Sequence, residues 1–430
     1  MPNWQEIYQK KLTSAQEAAG LINCGDNILA LSALSHPQGL FQAMVERPDL
    51  RDVSISSLYV PAEYPIFTPE AAERFRHISW FCSPFTRKLL QAGLAVQMPC
   101  FYGHYPQLVQ EYDNFEVFAA AVSPMDKHGY FSFSCTADIA MAGIDKAKKI
   151  ILEVNPYLPR TFGQNLIHIS RADIIFEAPC QLPEFSMRPF SEKDLAIGNL
   201  IAEMVPDEAI IQLGIGSIPD AAASCLKDKR DLGIHTELFT EAMLNLIEAG
   251  AVTNAKKPFD RYKSVTTFLL GNRRVYDYAD NNPSLEFHPV DYTNDVHLLS
   301  QMPKLISING CVQVDLWGQV ASESIGPKLY SGSGGQVDFV RGAVQSPGGH
   351  SFIATYASAK EDTLSAIVPT LAPGSIVTTL RNDADKIVTE YGIAQLRGKT
   401  VRERALALIS IAHPNFREEL TEQAKTLKMI

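Results

Sequence analysis

The stretch Ala209-Ile-Ile-Gln-Leu213-Gly-Ile-Gly-Ser-Ile-Pro-Asp220 reads as a short apolar strand, a Gly-x-Gly turn and the entry to a helix over Ala221–Leu226. A strand that runs through a glycine turn into a helix is the repeating unit of parallel α/β folds. The same turn lets backbone N–H groups approach an anion at a helix N-terminus. It is not a dinucleotide fingerprint, because Pro219 stands where the third glycine belongs. Taken alone, the turn leans to a tight connection without a ligand.

Outward from this unit, apolar runs alternate with helical spacing in both directions. Upstream strands are expected at Ile28–Leu31, Val53–Val60, Leu94–Met98, Val117–Val122, Ile150–Val154 and Ile174–Phe176. Downstream ones are expected at Val265–Leu269, Lys304–Ile308, Ser351–Thr355, Ile376–Thr379 and Lys386–Val388. Near-continuous apolar strands between helices predict largely parallel sheets covered on both faces. Ser191 and Asp194 form a capping-box pair before the helix Leu195–Met204. A further helix is expected from Thr400.

A chain of 430 residues exceeds the roughly 250–300 residues at which a single core stops growing. The proline-rich stretch Pro179–Phe190 is the natural linker. Two α/β domains follow, 1–185 and 186–430, the second carrying the candidate chemistry.

Composition narrows the function. Hydrophobic content of 46% and charged content of 20% are those of an ordinary globular protein. A net charge of −10 argues against a nucleic-acid surface, which needs a clustered positive field. The seven cysteines have no C-x-x-C spacing, so neither a disulfide framework nor a metal site is expected. No apolar leader and no run of about 18 apolar residues is found, so a cytoplasmic protein without membrane contact is expected.

Two other segments carry candidate chemistry. In Leu232-Gly-Ile-His-Thr-Glu237 a short strand ends in a polar trio before a helix that runs to Gly250. Glu237 thus sits at the C-terminal edge of a strand, where α/β proteins place ligands. Its position also suits a carboxylate that favours the positive end of the next helix, and position alone leans to that simpler reading. His235 has no second His or Cys at metal-ligand spacing. In Tyr330-Ser-Gly-Ser-Gly-Gly-Gln336, the cluster Gly332, Ser333, Gly334 and Gly335 can expose amides for an oxyanion hole, or serve as a flexible connection. P-loop, His-Glu-x-x-His and Gly-x-Ser-x-Gly motifs are absent.

These segments resemble the acetyl-CoA hydrolase/transferase family of class I CoA-transferases, most closely its 4-hydroxybutyrate and butyryl-CoA:acetate CoA-transferase branch. Further matching motifs are Ser123-Pro-Met-Asp-Lys-His-Gly129, Val154-Asn-Pro-Tyr-Leu-Pro-Arg-Thr161, Ile308-Asn309 and Val314-Asp-Leu-Trp-Gly-Gln319. Val388-Thr-Glu-Tyr-Gly392 and Ile411-Ala-His-Pro414 continue the match, in order along nearly the whole chain.

The resemblance implies two CoA-transferase-type domains with an active site in the cleft between them. It also implies that CoA moves from an acyl-CoA to a short-chain carboxylate through a glutamyl-CoA thioester. Acceptors of that kind are acetate, butyrate, 4-hydroxybutyrate, or a dicarboxylate such as succinate or itaconate. Glu237 matches the catalytic glutamate, and Gly334, Gly335 and Asn309 match the surroundings of the thioester. Gly214, Ile215, Gly216, Ser217, Gly332 and Ser333 match loops that contact CoA. No permanently bound cofactor and no metal are implied, coenzyme A being both substrate and covalent intermediate. A homodimer or higher homo-oligomer is expected. Arg341, Lys360 and Arg381 are candidates for the CoA phosphates, and Arg160 or Arg87 for the far carboxylate of a dicarboxylate. An acyl-CoA hydrolase on the same scaffold, or a catalytically silent CoA-binding protein, are the alternatives.

Overall fold

The computed structural model describes residues 3–111 and 114–430. The chain divides into two compact units, Met1–Ser186 with Val265–Thr293, and Met187–Ser264 with Asn294–Ile430. Residues 265–293, expected with the second half, therefore group with the first. Backbone pairing gives the reason. Leu285–Phe287 lies parallel to Phe162–Gly163, Ala137 N–H donates to the Thr267 carbonyl and Leu269 N–H to that of Cys135.

The first unit is built on eight parallel strands. In chain order they are β1 (Leu12–Thr13), β2 (Asn27–Ala30), β3 (Val53–Ser57), β4 (Phe75–Ser79), β5 (Ala95–Gln97), β6 (Val117–Val122), β7 (Lys149–Val154) and β8 (Ile174–Glu177). Their spatial order is β1-β8-β7-β6-β2-β3-β4-β5. The central strand β6, Val-Phe-Ala-Ala-Ala-Val, is buried at every position, as a strand covered on both faces must be. Strand β4 was not expected, because Arg76 and His77 interrupt its apolar pattern. The Pro179–Phe190 linker has no regular structure.

The second unit repeats the scheme with β9 (Ile210–Leu213), β10 (Gly233–Ile234), β11 (Leu305–Gly310), β12 (His350–Ala354), β13 (Lys386–Thr389) and β14 (Gly392–Gln395). The order is β10-β9-β11-β12-β13-β14, parallel except for the final β13–β14 hairpin. Helices α1 (Glu192–Met204), α2 (Ser217–Ser224), α3 (Glu241–Glu248) and α4 (Gln336–Gln345) belong to this unit. The Ser191/Asp194 capping box starts α1, and Thr400 caps the helix Val401–Ile411 in the same way. Two expected strands differ. Val265–Leu269 splits into Ser264–Thr266 and Phe268–Leu269, outside both large sheets. Ile376–Thr379 contributes only an isolated bridge from Thr379 to Val320, since the strand that it meets, Val320–Ala321, is two residues long and Ile376 N–H donates to the Ser324 hydroxyl instead.

Core packing fixes the register that the site relies on. Ile306 lies on β11 between β9 and β12, wholly shielded from solvent. Ile306→Ala is expected to destabilise the second unit by about 2–5 kcal/mol. A urea midpoint unchanged from the parent would contradict this placement.

Candidate active site around Glu237

The site begins at the end of β9. Gly214 N–H donates to the Ile308 carbonyl at 2.8 Å, which keeps the chain beside β11 for one more residue. A Cβ on Gly214 would stand 2.7 Å from Asn309 Oδ1, so only glycine admits Asn309 here. Gly216 has φ +133, a conformation that L side chains rarely adopt. Helix α2 follows at once, with Pro219 in its first turn, where the N–H groups have no partner within the helix. Ile215, Gly216 and Ser217 are exposed at the turn. Ser217 Oγ lies 3.3 Å from the Tyr356 hydroxyl, which donates to Asp194 Oδ1 at 2.6 Å. The Asp194 that caps α1 thereby also anchors the turn.

On the neighbouring strand, β10 leads into His235-Thr236-Glu237. Thr236 Oγ1 lies 3.3 Å from the Leu238 carbonyl and 3.5 Å from that of Leu213. The glutamate is thus held next to the end of β9, one residue from Gly214. Helix α3 starts four residues later and ends before Gly250, which has φ +77 as its stop requires.

The glycine-rich segment supplies the third side. Tyr330 and Ser331 N–H groups both donate to the Glu323 carbonyl, at 2.8 and 3.1 Å. Gly332, Ser333 and Gly334 then lead to Gly335, the N-cap of α4. Gly335 N–H donates to Glu237, so the carboxylate lies at the positive end of a ten-residue helix. A Cβ on Gly335 would overlap both Glu237 Oε1 and Asn294 Nδ2. The glycine is required for close approach.

Two residues that the sequence reading did not single out complete the arrangement. Asn294 Nδ2 donates to Glu237 Oε1 at 2.8 Å and to Asp338 Oδ2 at 3.0 Å. Asp338 lies in the first turn of α4. The only local signal was Asn294-Asp295 just ahead of the helix Val296–Ser300, which Asp295 caps.

Desolvation dominates the electrostatics. Glu237 keeps part of its surface open to solvent, yet enough protein surrounds its carboxyl to push the pKa from 4.5 up to about 8. The Asp338 charge adds to this rise, while the hydrogen bonds from Asn294 and Gly335 oppose it. At neutral pH the group sits near its own titration, where a carboxyl can exist in either form.

Asn309 is placed differently from a free oxyanion donor. Its Nδ2 donates to Ser307 Oγ at 2.8 Å and Gln212 Oε1 at 3.1 Å, and its Oδ1 accepts from Gln212 Nε2 at 3.1 Å. This buried polar ladder ties β9 to β11 beneath the glycine turn. Of the candidate cations, Arg341 pairs with Asp383 at 3.0 Å, and Arg381 lies 5.5 Å over the Trp317 ring. In the first unit, Arg160 pairs with Asp126 at 2.7 Å and donates to the Tyr130 carbonyl.

The site therefore presents a carboxylate at a strand end, the Asn294 and Gly335 N–H groups on it and glycine turns on either side. These are the parts that acyl exchange at a carboxylate needs. Family models for the acetyl-CoA hydrolase/transferase N-terminal and C-terminal domains match residues 2–183 and 271–424. The chain belongs to the acetyl-CoA hydrolase/transferase family. It is 43% identical to the succinyl-CoA:cyclohexane-1-carboxylate CoA transferase of Geobacter metallireducens, over 100% of this chain and 98% of that protein. It is 42% identical to the 4-hydroxybutyrate coenzyme A transferase of Clostridium kluyveri, over 98% and 99%. The crystal structure of RipA from Yersinia pestis superposes with a TM-score of 0.96 at 37% identity, covering 100% of both chains. Among the described residues, no helix is long and apolar enough to cross a membrane.

Two outcomes follow from the packing and the titration. Gly335→Ala displaces the Glu237 carboxylate and is expected to lower turnover by at least about 10²-fold, the effect of losing one oxyanion donor; near-parental turnover would contradict the contact. The raised Glu237 pKa means that the folded protein holds a proton that the unfolded chain releases near 4.5. That contribution to stability is full below 4.5 and is lost as pH rises through about 8. Glu237→Gln should therefore melt at a higher temperature than the parent above pH 8, with the gap closing towards pH 4.5. A gap of constant size would contradict the assignment.

Proposed function

We propose that the chain is an acyl-CoA:carboxylate CoA-transferase in which Glu237 is the nucleophile and carries CoA as a thioester. The observation that supports this best is the Glu237 carboxyl, held by Asn294 Nδ2 and Gly335 N–H at the start of α4. The same two donors can receive the oxyanion that forms when the Glu237 carbonyl is attacked.

The reaction needs no external energy source, because one thioester is exchanged for another. Glu237 Oε attacks the donor acyl-CoA carbonyl, and the C–S bond breaks to give a glutamyl–acyl anhydride and CoA thiolate. The thiolate attacks the Glu237 carbonyl, releasing the donor acid as its carboxylate and leaving the Glu237–CoA thioester. An acceptor carboxylate then attacks that thioester and expels CoA thiolate. The thiolate takes the acyl group from the new anhydride, and Glu237 returns as a carboxylate. Every step conserves charge and requires no oxidant or metal.

The raised pKa fits this role. A carboxylate partly stripped of water is a stronger nucleophile than a solvated one, provided that it has lost its proton. The turn with Ile215–Ser217 exposed and the Gly332–Gly335 segment suit contact with CoA, whose remote binding can be used at the reacting carbonyl. Acceptors are short-chain carboxylates, acetate, butyrate and 4-hydroxybutyrate among them. A dicarboxylate that used Arg160 would have to compete with Asp126 for its guanidinium.

Intact mass after treatment with acyl-CoA alone tests the covalent step. A CoA adduct is expected on the parent and none on Glu237→Gln, whose turnover should fall by at least about 10³-fold, as for loss of other covalent nucleophiles. An adduct on the variant would refute Glu237. Steady-state release of CoA should depend on added acetate or succinate, and acceptor-independent release would favour hydrolysis. As the nucleophile is the deprotonated form, kcat/KM should rise with pH towards a plateau above about 8. A profile already flat from pH 5 would contradict it.

A further inference from the structure

Asn294 offers one amide nitrogen to two carboxylates. Its Nδ2 lies 2.8 Å from Glu237 Oε1 and 3.0 Å from Asp338 Oδ2. The side chain is 2% exposed and Asp338 is 4% exposed, so water competes little for either. Asn294 Oδ1 is buried and has no hydrogen-bond partner among the described residues. Nothing on its oxygen side fixes which way the amide faces. The two carboxylates alone do so, since a flipped amide would point Oδ1 at both of them.

This arrangement has a consequence for the proposed covalent reaction, on whose Glu237 thioester the inference rests. While Glu237 is a carboxylate, it helps to orient the amide that holds it. Once Glu237 is acylated, its charge is gone and its carbonyl is a much weaker acceptor. Asp338 is then the only charged acceptor left on Asn294 Nδ2. We infer that Asp338 is a positioning residue that keeps the Asn294 N–H aimed at the Glu237 carbonyl while that carbonyl carries CoA.

Formation and discharge of the adduct pass through the same tetrahedral carbon of Glu237, with thiolate adding to the anhydride in one direction and a carboxylate adding to the thioester in the other. In both directions the oxyanion forms on the oxygen that Asn294 faces, so a correctly turned N–H serves both halves. Asp338 supplies neither a proton nor an atom to the reaction.

The test separates the halves. The full-length parent, Asp338→Leu and Asp338→Asn are mixed with acetyl-CoA alone, and adduct formation is followed by quenched-flow mass spectrometry. The isolated adducts are then mixed with succinate, and loss of CoA mass is followed. Asp338→Leu keeps roughly the volume and removes the acceptor. Both halves should slow at least about tenfold, part of the effect of losing an oxyanion donor outright. Asp338→Asn retains an oxygen for the Asn294 N–H and should recover most of both rates. No slowing of discharge by Asp338→Leu would overturn the inference, as would equal discharge by the Leu and Asn variants. If the Leu variant does not fold, Asp338→Ala takes its place with the same criteria. Absence of any adduct on the parent would instead refute the Glu237 thioester itself.

Discussion

The structure around Glu237 turns on one opposition, between the loss of water around a carboxylate and the hydrogen bonds that replace that water. Burial alone would make the group a neutral acid. The N–H groups of Asn294 and Gly335 draw it back towards the anion, and Asp338 pushes the other way. The group is left near pH 8, close enough to neutrality to ionise. Several local features serve this balance. Gly335 must lack a side chain for its N–H to reach the carboxylate, and it is also the N-cap from which α4 starts.

The scaffold places these parts by ordinary sheet packing. Parallel strands end at one edge, and β9, β10 and β11 are neighbours there. Gly214 continues the pairing with β11, Thr236 ties the Glu237 segment to the same edge, and the Gln212–Asn309–Ser307 ladder locks the strands beneath. A buried, fully bonded amide ladder of this kind resists register shifts, because any slip would leave polar groups unpaired. Asn309 thus supports the strand edge with the amide that the family likeness would assign to the thioester.

How much of this was legible in the sequence follows from how local each cause is. Strands such as β6 and β7 are continuous apolar runs, and the caps at Ser191 and Thr400 are written within four residues. Both could be read directly. Strand β4 could not, because Arg76 and His77 find polar partners in Ser54 and Ser57 on β3, and those pairings exist only after folding. Ile376–Thr379 has the composition of a strand, but the strand beside it, Val320–Ala321, is too short to extend the Thr379–Val320 bridge into a ladder. Residues 265–293 read as part of the second half because nothing local marks their return to strands and loops of the first.

The site divides along the same line. The glycine turns were visible because each needs a backbone without Cβ at a fixed place, whereas Glu237, whose position alone leaned to a helix-end charge, was singled out by the family resemblance. Asn294 and Asp338 were not, since a single Asn before a helix and an Asp in a first turn are both ordinary capping choices. Their role arises from meeting across 44 residues of sequence, with Glu237 another 57 away from Asn294. An N-terminal-turn Asp that would otherwise only complement the helix dipole here also accepts from the Asn294 amide that donates to Glu237. One position meets both demands, and helix-end reasoning sees only the first of them.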